Sequence, residues 1–121
     1  MLLADFEEPT AILRFQRLPA TDDLYEHVRA RSIRAQENSR LALKHVVIYS
    51  NDEIRAVYRI TGWQPDPTSK RWHFVGESDE ALNHLVGESI EDWGRGNRKF
   101  VSNGMPGKDT YYRLKAARGA S

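Results

Sequence analysis

The residues of this 121-residue chain whose types and grouping could do chemistry are its arginines and its large rings. Between residues 29 and 44, Arg29, Arg31, Arg34, Arg40 and Lys44 stand against Glu37 alone. Between residues 95 and 118, seven basic residues, Arg95, Arg98 and Lys99 among them, stand against Asp109 alone. The intervening residues 77 to 92 carry six acids and no lysine or arginine. Two basic segments that meet in space make a face able to follow phosphates, and the excess of arginine over lysine suits bidentate contacts to phosphate oxygens and base edges. On this reading Arg29, Arg31, Arg34, Arg95, Arg98 and Lys99 are the nucleic-acid contacts. The plainer reading is a solvated helix face and a basic tail, with arginine enriched by genomic base composition.

Trp63, Trp72 and Trp93, with Tyr58 and Tyr49, are the candidates for base stacking, because every base presents a π face. The competing reading puts most of them in the core, since aromatics dominate burial in a domain this small. Trp63 stands out at a strand end before a proline-rich loop. Trp93 follows, beside Gly94-Arg95-Gly96-Asn97-Arg98, where glycines let backbone approach a phosphate.

Other chemistries find little support. There is no cysteine, which removes disulfides, thiolate metal sites and cysteine nucleophiles and suits a reducing compartment. His27, His45, His73 and His84 lack the spacing of a metal-binding helix, so no metal site is expected. His84 with Glu80 and Glu88 reads more simply as an exposed ion-pair pattern. Ser50, Ser78 and Ser89 lie at turns or caps without a Gly-x-Ser-x-Gly, and neither a P-loop nor a GxGxxG is present, so no catalytic residue or cofactor is assigned. The start MLLADFEEP lacks a basic region and a long apolar stretch, no window approaches about 18 apolar residues, and the expected location is the cytoplasm.

Among the elements that hold these residues, the stretch 44 to 63 reads as one β-hairpin: Val46 to Tyr49 as a β-branched and aromatic run, Ser50-Asn51-Asp52-Glu53 as the turn, and Ile54, Val57, Tyr58 and Ile60 as the return strand. Residues 10 to 18 suit a first strand near a sheet edge. Thr21, as N-cap before Asp22 and Asp23, opens a helix over residues 22 to 31. Ser32 caps a second, less regular helix. Residues 64 to 70 form a loop, 71 to 75 a strand closed by Gly76, and Ser78 caps a helix that stops at Gly87. Ser89 begins a short turn with Ile90 and Trp93, residues 99 to 102 form a short strand, residues 103 to 107 a loop, 110 to 114 a last strand, and the tail frays. The size and hydrophobic content fit one domain with one core. The expected fold is α+β: a small, curved, mostly antiparallel sheet or barrel with helices at its rim. A doubly wound parallel sheet is disfavoured, because most links are too short for crossovers.

Taken as a series, Leu24-Tyr25-Glu26, Val28-Arg29, Arg34-Ala35, Ala56-Val57-Tyr58-Arg59-Ile60, Arg71-Trp72-His73-Phe74-Val75-Gly76, Leu85-Val86-Gly87-Glu88-Ser89-Ile90 and Phe100-Val101-Ser102-Asn103 resemble the accessory region that follows the catalytic module in a group of bacterial GIY-YIG nucleases. The order of hairpin, loop, aromatic strand and Gly-ended helix is similar, more loosely, to PUA-like barrels of the EVE and YTH types. That resemblance implies binding of RNA or modified DNA, often with an extruded base in an aromatic pocket. Val47-Ile48-Tyr49 and Tyr58-Arg59-Ile60-Thr61-Gly62 echo the nuclease strands, but valine replaces the glycine and the required arginine helix and metal-binding glutamate are missing. Nuclease activity is therefore not assigned, and an associated nuclease is an expected kind of partner.

The first functional expectation is a non-catalytic nucleic-acid-binding module that reads a single strand or an extruded modified base of DNA or RNA. The second is a protein-interaction domain in which the acidic residues 77 to 92 meet a basic face of a partner or of a second copy in a homodimer. A third is a small-molecule pocket inside the barrel.

Overall fold

The segment HVVIYS offers apolar side chains to both sides of a strand, the pattern of a strand covered on both faces. The computed structural model, which describes residues 1–19 and 23–101, has that strand, β2 (His45–Ser50), buried along its whole length. Its neighbour β1 (Thr10–Arg14) is buried from Thr10 to Leu13 and runs parallel to it, Thr10 opposite His45 and Arg14 opposite Tyr49. A parallel pair needs a long crossover, and residues 15 to 44 supply it. Within that link lie the helices α1 (Leu24–Arg29) and α2 (Glu37–Ala42).

The expected hairpin follows. Asn51 and Asp52 both take left-handed backbone angles, φ 53° and 59°, as a two-residue turn between twisted strands requires. β3 (Glu53–Pro65) then pairs antiparallel with β2, and with β4 (Trp72–Ser78) beyond it. β5 (Arg98–Val101) pairs antiparallel with the other side of β1. The result is a small α+β protein with a five-stranded mixed sheet in the order β4-β3-β2-β1-β5.

Several expectations are corrected. β1 is not itself an edge: it lies one strand in, because β5 returns to cover it. Among the described residues the sheet is open, with β4 and β5 as its two edges. Asp23 caps α1 by accepting from the Glu26 amide. Ile33 is not helical: its N–H and C=O pair with those of Trp72, and α2 begins only at Glu37. The segment after Ser78 is a 3-10 helix, Glu80–Leu85, preceded by Asp79, and Ile90 and Trp93 are buried without forming a helix. Thr21 and Asp22, the loop 103 to 107, the strand 110 to 114 and the tail lie outside the described residues.

Instead of one core, the sheet separates two apolar clusters. Ala11, Leu13, Val46, Ile48, Tyr58 and Phe74 face the α1 side, where Val28 and Ile33 meet them. Ile12, Val47, Tyr49, Ile54 and Val57 face the other side, covered by Phe6, Ile90 and Trp93. No helix among the described residues is long and apolar enough to cross a membrane.

Gly76 does not end β4. It lies inside the strand, opposite Ile60, where a Cβ would collide with the Arg59 carbonyl oxygen of β3. Gly62, near the bulge of the same pair, has only the Val75 Cβ at 4.0 Å. Gly76→Ala is therefore expected to cost about 1–3 kcal/mol in denaturant unfolding, and Gly62→Ala to stay within about 0.5 kcal/mol of the parent. Equal effects of the two would refute this account of the β3–β4 approach.

Candidate anion-binding site

At the C-terminal end of β1 three guanidinium groups converge from distant parts of the chain. Arg31 arrives just beyond α1, Arg98 from β5 through its pairing with Leu13, and Arg71 because the Ile33–Trp72 bridge draws the start of β4 against the crossover. With Ser32 and Asn97 they line a hollow of about 350 Å³ floored by Leu13 and Ile33, both 1% exposed. No carboxylate is among its described lining.

Backbone carbonyls hold these cations. Arg31 donates to the Arg14 carbonyl at 2.7 Å and the Asn97 carbonyl at 3.3 Å, and Arg98 donates to the Arg34 carbonyl at 3.1 Å. Arg71 reaches the Ser32 carbonyl at 3.5 Å. A carbonyl fixes a guanidinium without neutralising it, so the charges add. Arg31 shows the consequence: burial first, then the positive charges of Arg98 and Arg71, hold it below the ordinary arginine value. Flat rings lie beneath two of the cations, Phe15 under Arg31 at 4.9 Å and Phe100 under Arg98 at 5.1 Å.

The sequence-predicted contacts divide. Arg31 and Arg98 meet at the hollow, and Arg34, exposed, lends it a carbonyl anchor. Arg29 is engaged elsewhere, donating to the Phe74 carbonyl at 2.7 Å and to Gln64, pairing with Glu26 and lying over Tyr25. Arg95 is exposed on the glycine turn and does not line the hollow. Lys99, one residue from Arg98, points to the opposite face of the sheet and sits 5.3 Å from the Trp93 ring. Alternation along β5 separates the two neighbours.

The rings divide as well. Trp93 is 6% exposed, stacked on Tyr49 at 5.1 Å, with its indole N–H given to the Gly96 carbonyl. Tyr58 is packed between Tyr25 and Phe74, and burial, then Tyr25 and Asp23, raise its phenol above the ordinary value. As packed, neither leaves a face for a base. Trp63 and Trp72 are half-buried on the helical side. Trp63 donates its indole N–H to the Arg40 carbonyl, and the Arg40 guanidinium covers Trp72 at 3.8 Å.

Arg71, Phe15 and Phe100 were not singled out by sequence reasoning. Nothing in spacing marks Arg71; its neighbour Trp72 was the visible residue. Phe15 and Phe100 read as ordinary strand residues.

A second hollow, of about 480 Å³, lies at the other end of β1. Its wall includes Glu7, Glu8, His84 and Glu88 around the buried His45, with Phe6 and Leu85 as apolar surface. His45 contacts Asp79 through Nδ1 at 2.5 Å and Glu8 through Nε2 at 3.1 Å, and Asp79 is 4% exposed. Among the described residues no three such side chains are grouped to hold a metal ion. His45 was visible in the sequence only as a polar residue opening an apolar strand.

No family model, curated protein or solved structure matches the chain.

Two outcomes follow from these geometries. Arg71→Ala is expected to leave stability within about 0.5 kcal/mol of the parent. It should also shrink the stability gained when ionic strength rises from about 0.01 to 1 M, over which the screening length falls from about 30 to 3 Å; an unchanged gain would mean that the guanidiniums do not repel. Asp79→Ala and His45→Ala should each cost about 3 kcal/mol in denaturant melts by stranding a buried partner. The double variant should cost clearly less than the two together, and strict additivity would deny the contact.

Proposed function

We propose that this chain is a non-catalytic nucleic-acid-binding module that takes a single strand or an extruded, modified base on the helical side of its sheet. The observation that carries the reading is the convergence of Arg31, Arg71 and Arg98 around one hollow with no carboxylate in its described lining. Cations gathered at a desolvation cost, held by carbonyls that leave their charge intact, suit a phosphate more than any neutral ligand. Trp63 and Trp72, half-buried on the helical side and held against Arg40, are the remaining ring candidates for stacking. The finer fold assignment, PUA-like, rests on the order of hairpin, loop and aromatic strand. The choice between DNA and RNA, and the reading of a modified base, belong to the same proposal and to the same titrations.

A second reading is favoured by one observation: the acid-walled hollow and the arginine hollow lie at opposite ends of β1, about 13 Å apart for a strand of this length. Opposite poles on one molecule suit head-to-tail contact between copies or a basic patch on a partner protein. Light scattering at low and high salt tests the contact between copies, since a protein monomeric at both salts removes it.

The nucleic-acid reading is tested by anisotropy titrations of a labelled single-stranded oligonucleotide between about 50 and 200 mM salt. Affinity is expected to fall linearly in log salt, and Arg98→Ala to weaken binding about tenfold and flatten the slope by about 0.7. Arg55→Ala, an exposed arginine paired with Glu53 away from the hollow, should change neither. Binding that is negligible at both salts defeats the proposal.

A further inference from the structure

We infer that the arginine hollow recognises a terminal phosphate monoester, the phosphorylated end of a strand, in preference to the diester phosphates along it; this rests on the nucleic-acid reading above. The geometry is that of a gathered charge. Phosphates along a strand each carry one negative charge and are strung out, and a protein that tracks them spaces its cations to match. Here Arg31, Arg71 and Arg98 instead line a single hollow, whose floor is closed by Leu13 and Ile33. A volume of about 350 Å³, at the small end of ligand pockets, holds a phosphoryl group with the sugar that bears it and is too small to enclose a run of nucleotides.

A monoester differs from a diester in charge and in reach. Near neutral pH it carries close to two negative charges and three free acceptor oxygens, where a diester has one charge and two. Three guanidiniums can therefore each address an oxygen of the same group, and the uncharged Ser32 and Asn97 complete the wall. Their mutual repulsion, visible at Arg31, is offset more fully by a dianion than by a monoanion. Each guanidinium is already anchored on a backbone carbonyl, so less ordering remains to be done when the phosphate arrives.

The experiment compares one short oligonucleotide sequence in three forms, with a 5′-phosphate, with a 3′-phosphate and with hydroxyls at both ends, on the intact chain at a fixed salt concentration. At least one phosphorylated form is expected to bind about tenfold more tightly than the hydroxyl form, and whichever end is preferred identifies the source of the monoester. Arg71→Ala and Arg98→Ala should erase that preference while retaining residual salt-dependent binding. Inorganic phosphate should displace the phosphorylated form from the unmodified protein at concentrations where sodium chloride of equal ionic strength does not, a readout that needs no variant to fold. Equal binding of all three forms overturns the end-recognition proposal and leaves the broader reading standing. Absence of binding by every form overturns both, and a preference that survives both substitutions overturns the assignment to this hollow.

Discussion

The parallel pairing of β1 with β2, sealed on both faces, is the constraint on which the rest of the structure depends. Parallel neighbours cannot be joined by a turn, so the chain must travel back over one face, and that return carries α1, Ile33 and α2. The opposite face is left for Phe6, Ile90 and Trp93 to cover. Both sides of the central strands are thereby dry. Polar groups and charges gather at their ends, where backbone carbonyls and solvent are still within reach.

The two ends accommodate charge differently. At the N-terminal end of β1 a buried carboxylate, Asp79, is compensated by the His45 imidazole, which is in turn within hydrogen-bond distance of Glu8. At the C-terminal end the guanidiniums have no such compensation among the described residues, only carbonyl oxygens from Arg14, Ser32, Arg34 and Asn97. A buried hydrogen-bonded pair is closed upon itself, whereas cations held by dipoles retain their field and attract an anion. That contrast makes the arginine end the stronger candidate for binding a charged ligand. It also accounts for the different fates of adjacent basic residues: the pleat of β5 directs Arg98 into the cluster and Lys99 over Trp93 on the far side.

Much of the local structure is legible in the chain itself. The β-branched run 46 to 49 and the Asn51-Asp52 turn determine a hairpin whatever surrounds it, because both depend on backbone preferences of neighbouring residues. The same holds for a helix over residues 24 to 29, for an aromatic strand near Trp72, and for the loop read at 64 to 70, whose first two residues, Gln64 and Pro65, the strand β3 takes instead. The uneven distribution of charge is equally a property of sequence, and of the six basic residues it pointed to, Arg31 and Arg98 line the hollow while Arg29, Arg34, Arg95 and Lys99 do not.

What tertiary structure alone decided is which distant residues share a place. Ile33 left its helical pattern because pairing with Trp72 satisfies two backbone groups at once, and this one bridge brings Arg71 to Arg31. β1 became an interior strand because β5 came back to it from more than eighty residues away. Arg29 was withdrawn to the Phe74 carbonyl, and Trp93 and Tyr58 were committed to ring contacts inside the two cores. Composition and periodicity constrain only near neighbours along the chain, so they determined the elements and the sign of the charge; strand order and register, which depend on burying both faces of the sheet at once, decided which of those charges meet.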